Sequence, residues 1–149
     1  MEINLAPIGF IKNGITEPKR EDWQTITSEI IINEDLKEAL SRIEEFSHLI
    51  VIYWMHKLAP SQRSVTKVHP KGDQNLPLVG VFASRSPARP NPIGITTVKL
   101  LEHRDNVLKV IGLDAIDGTP VLDIKPHIPG SDSPVKAKTP RWIKTCFSQ

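Results

Sequence analysis

Short runs rich in Val and Ile, separated by polar turns, are what most constrain this chain. They fall at residues 7–11, 28–32, 48–55, 78–82, 94–101, 107–113 and 121–124. Branched residues in runs of this length fit pleated strands. Between the last long pair, Arg104, Asp105 and Asn106 read as the closed end of an antiparallel hairpin. Only residues 35–46 show helical spacing, with Leu36, Leu40, Ile43 and Phe46 recurring after Asn33 and Asp35, either of which suits an N-cap. Strands do not alternate with helices and no Gly-x-Gly-x-x-Gly follows a strand, which argues against a doubly wound dinucleotide fold. The expectation is a mainly β protein: a small single-domain β-barrel over residues 1–149, with one short helix and long loops at 59–77 and 125–140. Loops of that length commonly carry function.

Composition narrows the function classes. With 39% hydrophobic and 24% charged residues, the chain has the balance of a water-soluble globular domain. A formal charge of +2 implies no nucleic-acid partner by itself, so any basic surface must be local. Cys146 is the one cysteine, which rules out an intrachain disulfide and a cysteine zinc site. No signal-peptide pattern opens the sequence, and no apolar run approaches the roughly 20 residues of a membrane span. A cytosolic protein with no membrane role is expected.

Two stretches look chemical. The first, Gly80-Val81-Phe82-Ala83-Ser84-Arg85-Ser86-Pro87-Ala88-Arg89-Pro90-Asn91-Pro92-Ile93-Gly94, runs from a strand into a loop stiffened by three prolines. Each proline fixes its own φ and biases its predecessor to extended geometry, so Arg85, Arg89 and Asn91 could be held in fixed directions. Guanidinium forks suit carboxylates and phosphates. A proline-rich connector with solvated arginines is the plainer alternative.

The second, from Asp114 to Pro126, puts Asp114, Asp117 and Asp123 around the Gly118 turn and a strand. If 121–124 is a strand, Asp123 shares a face with Val121 and is partly buried, as catalytic carboxylates are. Pairing with Lys125 or a backbone amide explains the same residue structurally. A third region, Glu45 to Lys57, holds His48, Trp54, Met55 and His56, where strand-end and core roles outweigh ligand contact. His48, His56, His69, His103 and His127 are too scattered for a zinc site, and no metal is expected. Nucleophilic catalysis has no candidate, since there is no Gly-x-Ser-x-Gly elbow and Cys146 lacks a histidine partner.

The 80–94 run resembles the signature of TsaA-like (TrmO-like) proteins, and Asp117-Gly118-Thr119-Pro120-Val121-Leu122-Asp123-Ile124-Lys125-Pro126 resembles its companion motif. Ile8-Gly9 and Phe46-Ser47-His48-Leu49 extend the likeness over most of the chain. The resemblance implies a small β-barrel that binds S-adenosylmethionine near a homodimer interface. It also implies methylation of N6 of threonylcarbamoyladenosine, next to the anticodon of threonine tRNA. By the same resemblance His56, Lys57, Arg85, Ile95, Asp117, Gly118, Thr119 and Pro120 line the methyl-donor site. The family's Pro-Arg-Gln segment corresponds to Thr16-Glu17-Pro18-Lys19-Arg20, which gives Glu17, Pro18 and Lys19 as its counterparts. Longer relatives carry an added carboxyl-terminal domain.

Methyl transfer from a sulfonium is an in-line displacement, so an enzyme must align donor and acceptor and accept one proton. Asp123 or Asp117 could take the proton. Asn91 could accept from N6–H, and Arg85 or Arg89 could pair with the threonyl carboxylate. The alternatives are a noncatalytic module that binds S-adenosylmethionine or RNA, and a methyltransferase for another small acceptor.

Overall fold

Alternation of apolar and polar positions closes a barrel. The computed structural model describes residues 1–18 and 22–147. Among them the strands are β1 (Gly9–Lys12), β2 (Thr27–Ile32), β3 (His48–Trp54), β4 (Lys67–Val68), β5 (Val79–Gly80), β6 (Ile93–Arg104), β7 (Val107–Ile111) and β8 (Pro120–Pro126). All pairings are antiparallel, in the order β1, β2, β7, β6, β3, β8, and β8 pairs back onto β1. Closure leaves no free sheet edge. β4 and β5 form a separate two-stranded ribbon.

In β2, Ser28, Ile30 and Ile32 point inward while Thr27, Glu29 and Ile31 face out. Ile11, Leu49, Val51, Val98, Leu108, Val110 and Val121 join Ile30 and Ile32 inside, each with 2% exposure or less. Six strands leave a bore that side chains fill, and each large aliphatic placed there contributes roughly 1.5–3 kcal/mol. Tyr53 is buried with them, directly across from Gly94. Its hydroxyl donates to the Asp114 carbonyl at 2.7 Å and lies 2.9 Å from Thr96 Oγ1.

The chain divides into two compact units. The first comprises 1–56 and 93–127 and contains the whole barrel; the second comprises 57–92 and 128–149 and contains the ribbon and two one-turn helices, α1 (Pro129–Asp132) and α2 (Ile143–Cys146). Charge is split between them. Residues 57–92 carry Lys57, Arg63, Lys67, Lys71, Arg85 and Arg89 against Asp73 alone, and 128–149 carry Lys136, Lys138, Arg141 and Lys144 against Asp132 alone. The second unit therefore holds ten of the 19 Lys and Arg and two of the 17 Asp and Glu, a formal +8, which leaves −6 on the first. The near-neutral total of the sequence conceals this division.

Three expectations need correction. The helix over 35–46 is instead a pair of 3-10 segments, Glu34–Leu40 and Ile43–Glu45, broken by Arg42 at φ 70°. Leu40 is buried and Leu36 and Ile43 pack on the barrel core, whereas Phe46 remains 39% exposed. Asn33 occupies the cap position but its side-chain amide donates to the Pro7 carbonyl, so a tertiary bond displaces the local one. The run at 78–82 yields only the two residues of β5 before a 3-10 turn at Val81–Ala83.

The third correction concerns Asp123. In β8, Val121 lies opposite Tyr53, while Asp123 lies opposite Ile52 and Ile124 opposite Val51. Leu122 is thus an extra residue, a β-bulge, and it reverses the alternation beyond it. Val121 and Ile124 face the core and Asp123 faces outward. The hairpin at 103–106 forms as expected, closing β6 onto β7 with Asp105 at φ 53°.

Candidate functional site

Where β1 ends, Asn13 and Gly14 meet the turn that enters β8. Asp117 Oδ1 accepts the backbone N–H of Asn13 at 2.7 Å and of Gly14 at 3.0 Å. The N–H of Asp117 donates to the Ile15 carbonyl and that of Gly118 to the Ile11 carbonyl, each at 2.7 Å. The Asn13 side chain completes the link: its amide donates to Ser28 Oγ and to the Ala115 carbonyl, and its oxygen accepts the Ile15 N–H. Thr119 is buried, its hydroxyl donating to the Ile116 carbonyl at 2.7 Å. The 117–120 turn is therefore fixed from both sides by main-chain bonds.

Gly118 crowns this turn, exposed and at φ 79°, in the left-handed region that favours glycine. A Cβ there would stand 4.0 Å from Nε2 of the exposed His56, so imidazole and turn are neighbours. Further along the barrel's outer face, Ile95, Ile52 and Asp123 stand opposite one another across β6, β3 and β8. Two strand spacings put Ile95 and Asp123 roughly 10 Å apart. Ile95 is half exposed and offers an apolar platform.

Asp123 accepts its neighbour Ile124's N–H through Oδ1 and pairs with Lys125 Nζ through Oδ2 at 2.8 Å. That hydrogen bond, reinforced by Coulomb attraction, holds the Lys125 ammonium above its ordinary pKa. Both structural partners foreseen for Asp123 are thus present, on a half-exposed side chain. Glu17 and Pro18 are exposed in the segment after β1, and Lys19 lies outside the described residues.

The remaining sequence-predicted residues, Lys57, Arg85, Arg89 and Asn91, belong to the second unit. Prolines are not alone in stiffening their loop. The Ser84 hydroxyl donates to the Val81 carbonyl and accepts the Ser86 N–H, and Ser86 Oγ accepts the Ala88 N–H. Arg89 is half buried, its Nη1 donating to the Ser84 and Ser86 carbonyls at 3.3 and 3.0 Å. Arg63 Nε adds a 2.7 Å bond to the Pro90 carbonyl. Arg85 and Asn91 are exposed.

Asn13 and Ser28 were not among the sequence candidates. Asn13-Gly14 has the look of an ordinary turn, and its partner lies 104 positions away. An open groove of about 450 Å³ on the first unit is lined by Lys12, Glu29, Lys109 and Glu102, which alternate in sign across paired strands, and by Thr27 and the edge of the Asn13–Gly14 turn, but by none of the sequence-predicted site residues. It reads as a solvated barrel face. Among the described residues no three His, Cys, Asp or Glu converge as a metal site.

A closed six-strand barrel with a main-chain-locked turn before its last strand defines a small all-β protein unlike the doubly wound nucleotide binders. Residues 12–133 match the model of the tRNA-methyltransferase O N-terminal domain, and the chain belongs to that family. It is 42% identical over 132 residues to an S-adenosyl-L-methionine-binding protein of Archaeoglobus fulgidus, covering 86% of this chain and 91% of that one. A crystal structure of TrmO matches with a TM-score of 0.74 and 31% identity, over 93% of this chain and 64% of its own. A crystal structure of TrmO from Pseudomonas aeruginosa gives 0.73 and 29%, over 93% and 62%. The chain spans less than two thirds of the length of these solved relatives.

Proposed function

We propose that this chain is an S-adenosylmethionine-dependent methyltransferase that modifies N6 of threonylcarbamoyladenosine beside the anticodon of tRNA, acting as one domain in the cytoplasm. The observation that carries the reading is the family match, which spans both the Arg85 loop and the Asp117 turn. Relatives named for S-adenosylmethionine binding and for tRNA methylation support it. The residues fit such a donor. A glycine surface at Gly118 permits close backbone approach beside His56, and Ile95 provides an apolar face for adenine. Asp117, Thr119 and Pro120 hold the shape of that surface; Lys57 and Arg85, with Glu17, Pro18 and Lys19, are proposed as further donor contacts on the family resemblance.

S-adenosylmethionine supplies an electrophilic methyl group on a sulfonium. The N6 lone pair forms the new N–C bond as the C–S bond breaks, and the N6 proton must leave. Asp123 is the proposed acceptor, because its half-exposed carboxylate faces outward on the same barrel surface as Ile95, whereas Asp117 is tied into the turn by two backbone N–H groups. Asn91 is proposed to accept from N6–H beforehand. Arg89 is proposed to hold the threonyl carboxylate through the edge of its fork not used by the loop, since among the described residues the loop bonds run to Nη1.

Titration calorimetry and mass spectrometry of treated tRNA test the reading together. Expected are heat with S-adenosylmethionine, weakened roughly tenfold or more by Arg85→Ala, and gain of one methyl group on tRNA bearing threonylcarbamoyladenosine but little on the unmodified transcript. Arg89→Lys should slow turnover more than it weakens donor binding, because an ammonium keeps the charge and loses the fork. Donor binding without methylation of any tRNA would leave a noncatalytic module or another acceptor. No heat with the donor or its demethylated product would remove the cofactor assignment.

A homodimer is proposed as the working form. Trp54 faces Ile93 and Ile52 faces Ile95 on the barrel's outer surface, an apolar patch with Ile93 39% and Ile95 50% exposed. Light scattering should report twice the monomer mass, and Ile93→Lys should shift it toward monomer. A wild-type monomer with full activity at micromolar concentration would contradict this.

A further inference from the structure

The charge division between the two units is unexplained by binding of a small donor. Six exposed cations of the second unit are not among the proposed donor contacts: Lys67, Lys71, Lys136, Lys138, Arg141 and Lys144. Phe82 is 80% exposed in the same unit, and Phe147 is 50% exposed. A phenylalanine so open to water contributes nothing to a core, yet it presents a π face on which an unpaired base can stack. Dispersed cations with exposed aromatic rings form the recognition chemistry of single-stranded nucleic acid, in which phosphates meet ammonium and guanidinium groups and bases meet rings.

We propose that the second unit, residues 57–92 and 128–147, is an RNA-holding surface with Phe82 as a stacking platform for an unpaired base. This deepens the tRNA reading above and rests on it. An anticodon loop exposes unpaired bases next to the base proposed for methylation, whereas the bases of a tRNA's helices are stacked and shielded. The first unit, at −6, repels phosphates overall, which makes the second unit the favoured contact. An anionic lipid surface is another polyanion that such cations attract. It suits the unit less well, because α1 and α2 are single turns, too short to present an amphipathic helix to an interface.

The test is fluorescence anisotropy of a labelled anticodon stem-loop RNA with the full chain, with donor calorimetry in parallel. Lys138→Glu/Arg141→Glu/Lys144→Glu should weaken RNA binding roughly tenfold or more, and the corresponding Gln variant should make the slope of log K against log salt shallower by about 0.7 for each cation that contacts a phosphate. Phe82→Ala should cost roughly tenfold. Donor heats should be unchanged in all three. Lys99→Glu/Lys109→Glu, on the first unit, should change RNA affinity by no more than about twofold. If wild-type protein binds the RNA and the second-unit variants bind it equally well, the surface is elsewhere and only this inference falls. If wild-type protein binds donor but no RNA, the inference falls with the tRNA reading. Binding to phosphatidylserine vesicles in place of RNA would also overturn it.

Discussion

Gly94→Val is expected to lower stability by about 3 kcal/mol or more, read as a lower urea midpoint or as failure to fold. Gly94 in β6 faces Tyr53 in β3 inside the barrel, and the ring occupies the space a side chain would take. A Cβ at this position would fall 2.6 Å from Cζ and closer still to Cε2. A flexible side chain would swing aside. Tyr53 cannot, because its hydroxyl is held by the Asp114 carbonyl and Thr96 Oγ1, so moving the ring breaks both bonds in a buried place. Combining Gly94→Ala with Tyr53→Leu should cost less than the sum of the two single changes, since the clash needs both partners. A wild-type midpoint for Gly94→Val would mean that the ring is not anchored as described.

Asp117→Ala should show the second large effect, on stability and donor binding together. It removes one carboxylate oxygen that serves two backbone donors, Asn13 N–H and Gly14 N–H. Hydrogen bonds to a charged group are worth roughly 1.5–3 kcal/mol each, and partially solvated donors recover some of that, so a net loss of about 2–3 kcal/mol is expected. Because the same turn carries Gly118 beside His56, its loosening should also weaken donor affinity by roughly tenfold or more. Asp117→Asn keeps an acceptor and should recover much of the stability. Asn13→Ala offers an independent route, because it breaks the bonds to Ser28 and Ala115 without touching the turn's own residues. If Asp117→Ala loses stability while donor binding is untouched, the turn is a structural staple only.

What the sequence determined by itself is local. Runs of Val and Ile with alternate burial specify strands, because neighbouring side chains of a strand point to opposite faces; β2 and β3 follow this closely. The Arg104 to Asn106 turn specifies its hairpin, and serine and proline spacing specifies the stiff loop at 84–92. Tertiary structure decided the rest. Closure of β8 onto β1, the meeting of Asn13 with Asp117, and the gathering of ten cations into one unit all join residues far apart in the chain. The outward turn of Asp123 depends on the extra residue Leu122, which is accommodated only because β3 pairs on one side of it in a particular register. Periodicity records which residues of a strand share a face. Which partner that strand acquires, and where its register slips, depends on hydrogen bonds and packing that exist only once the barrel has closed.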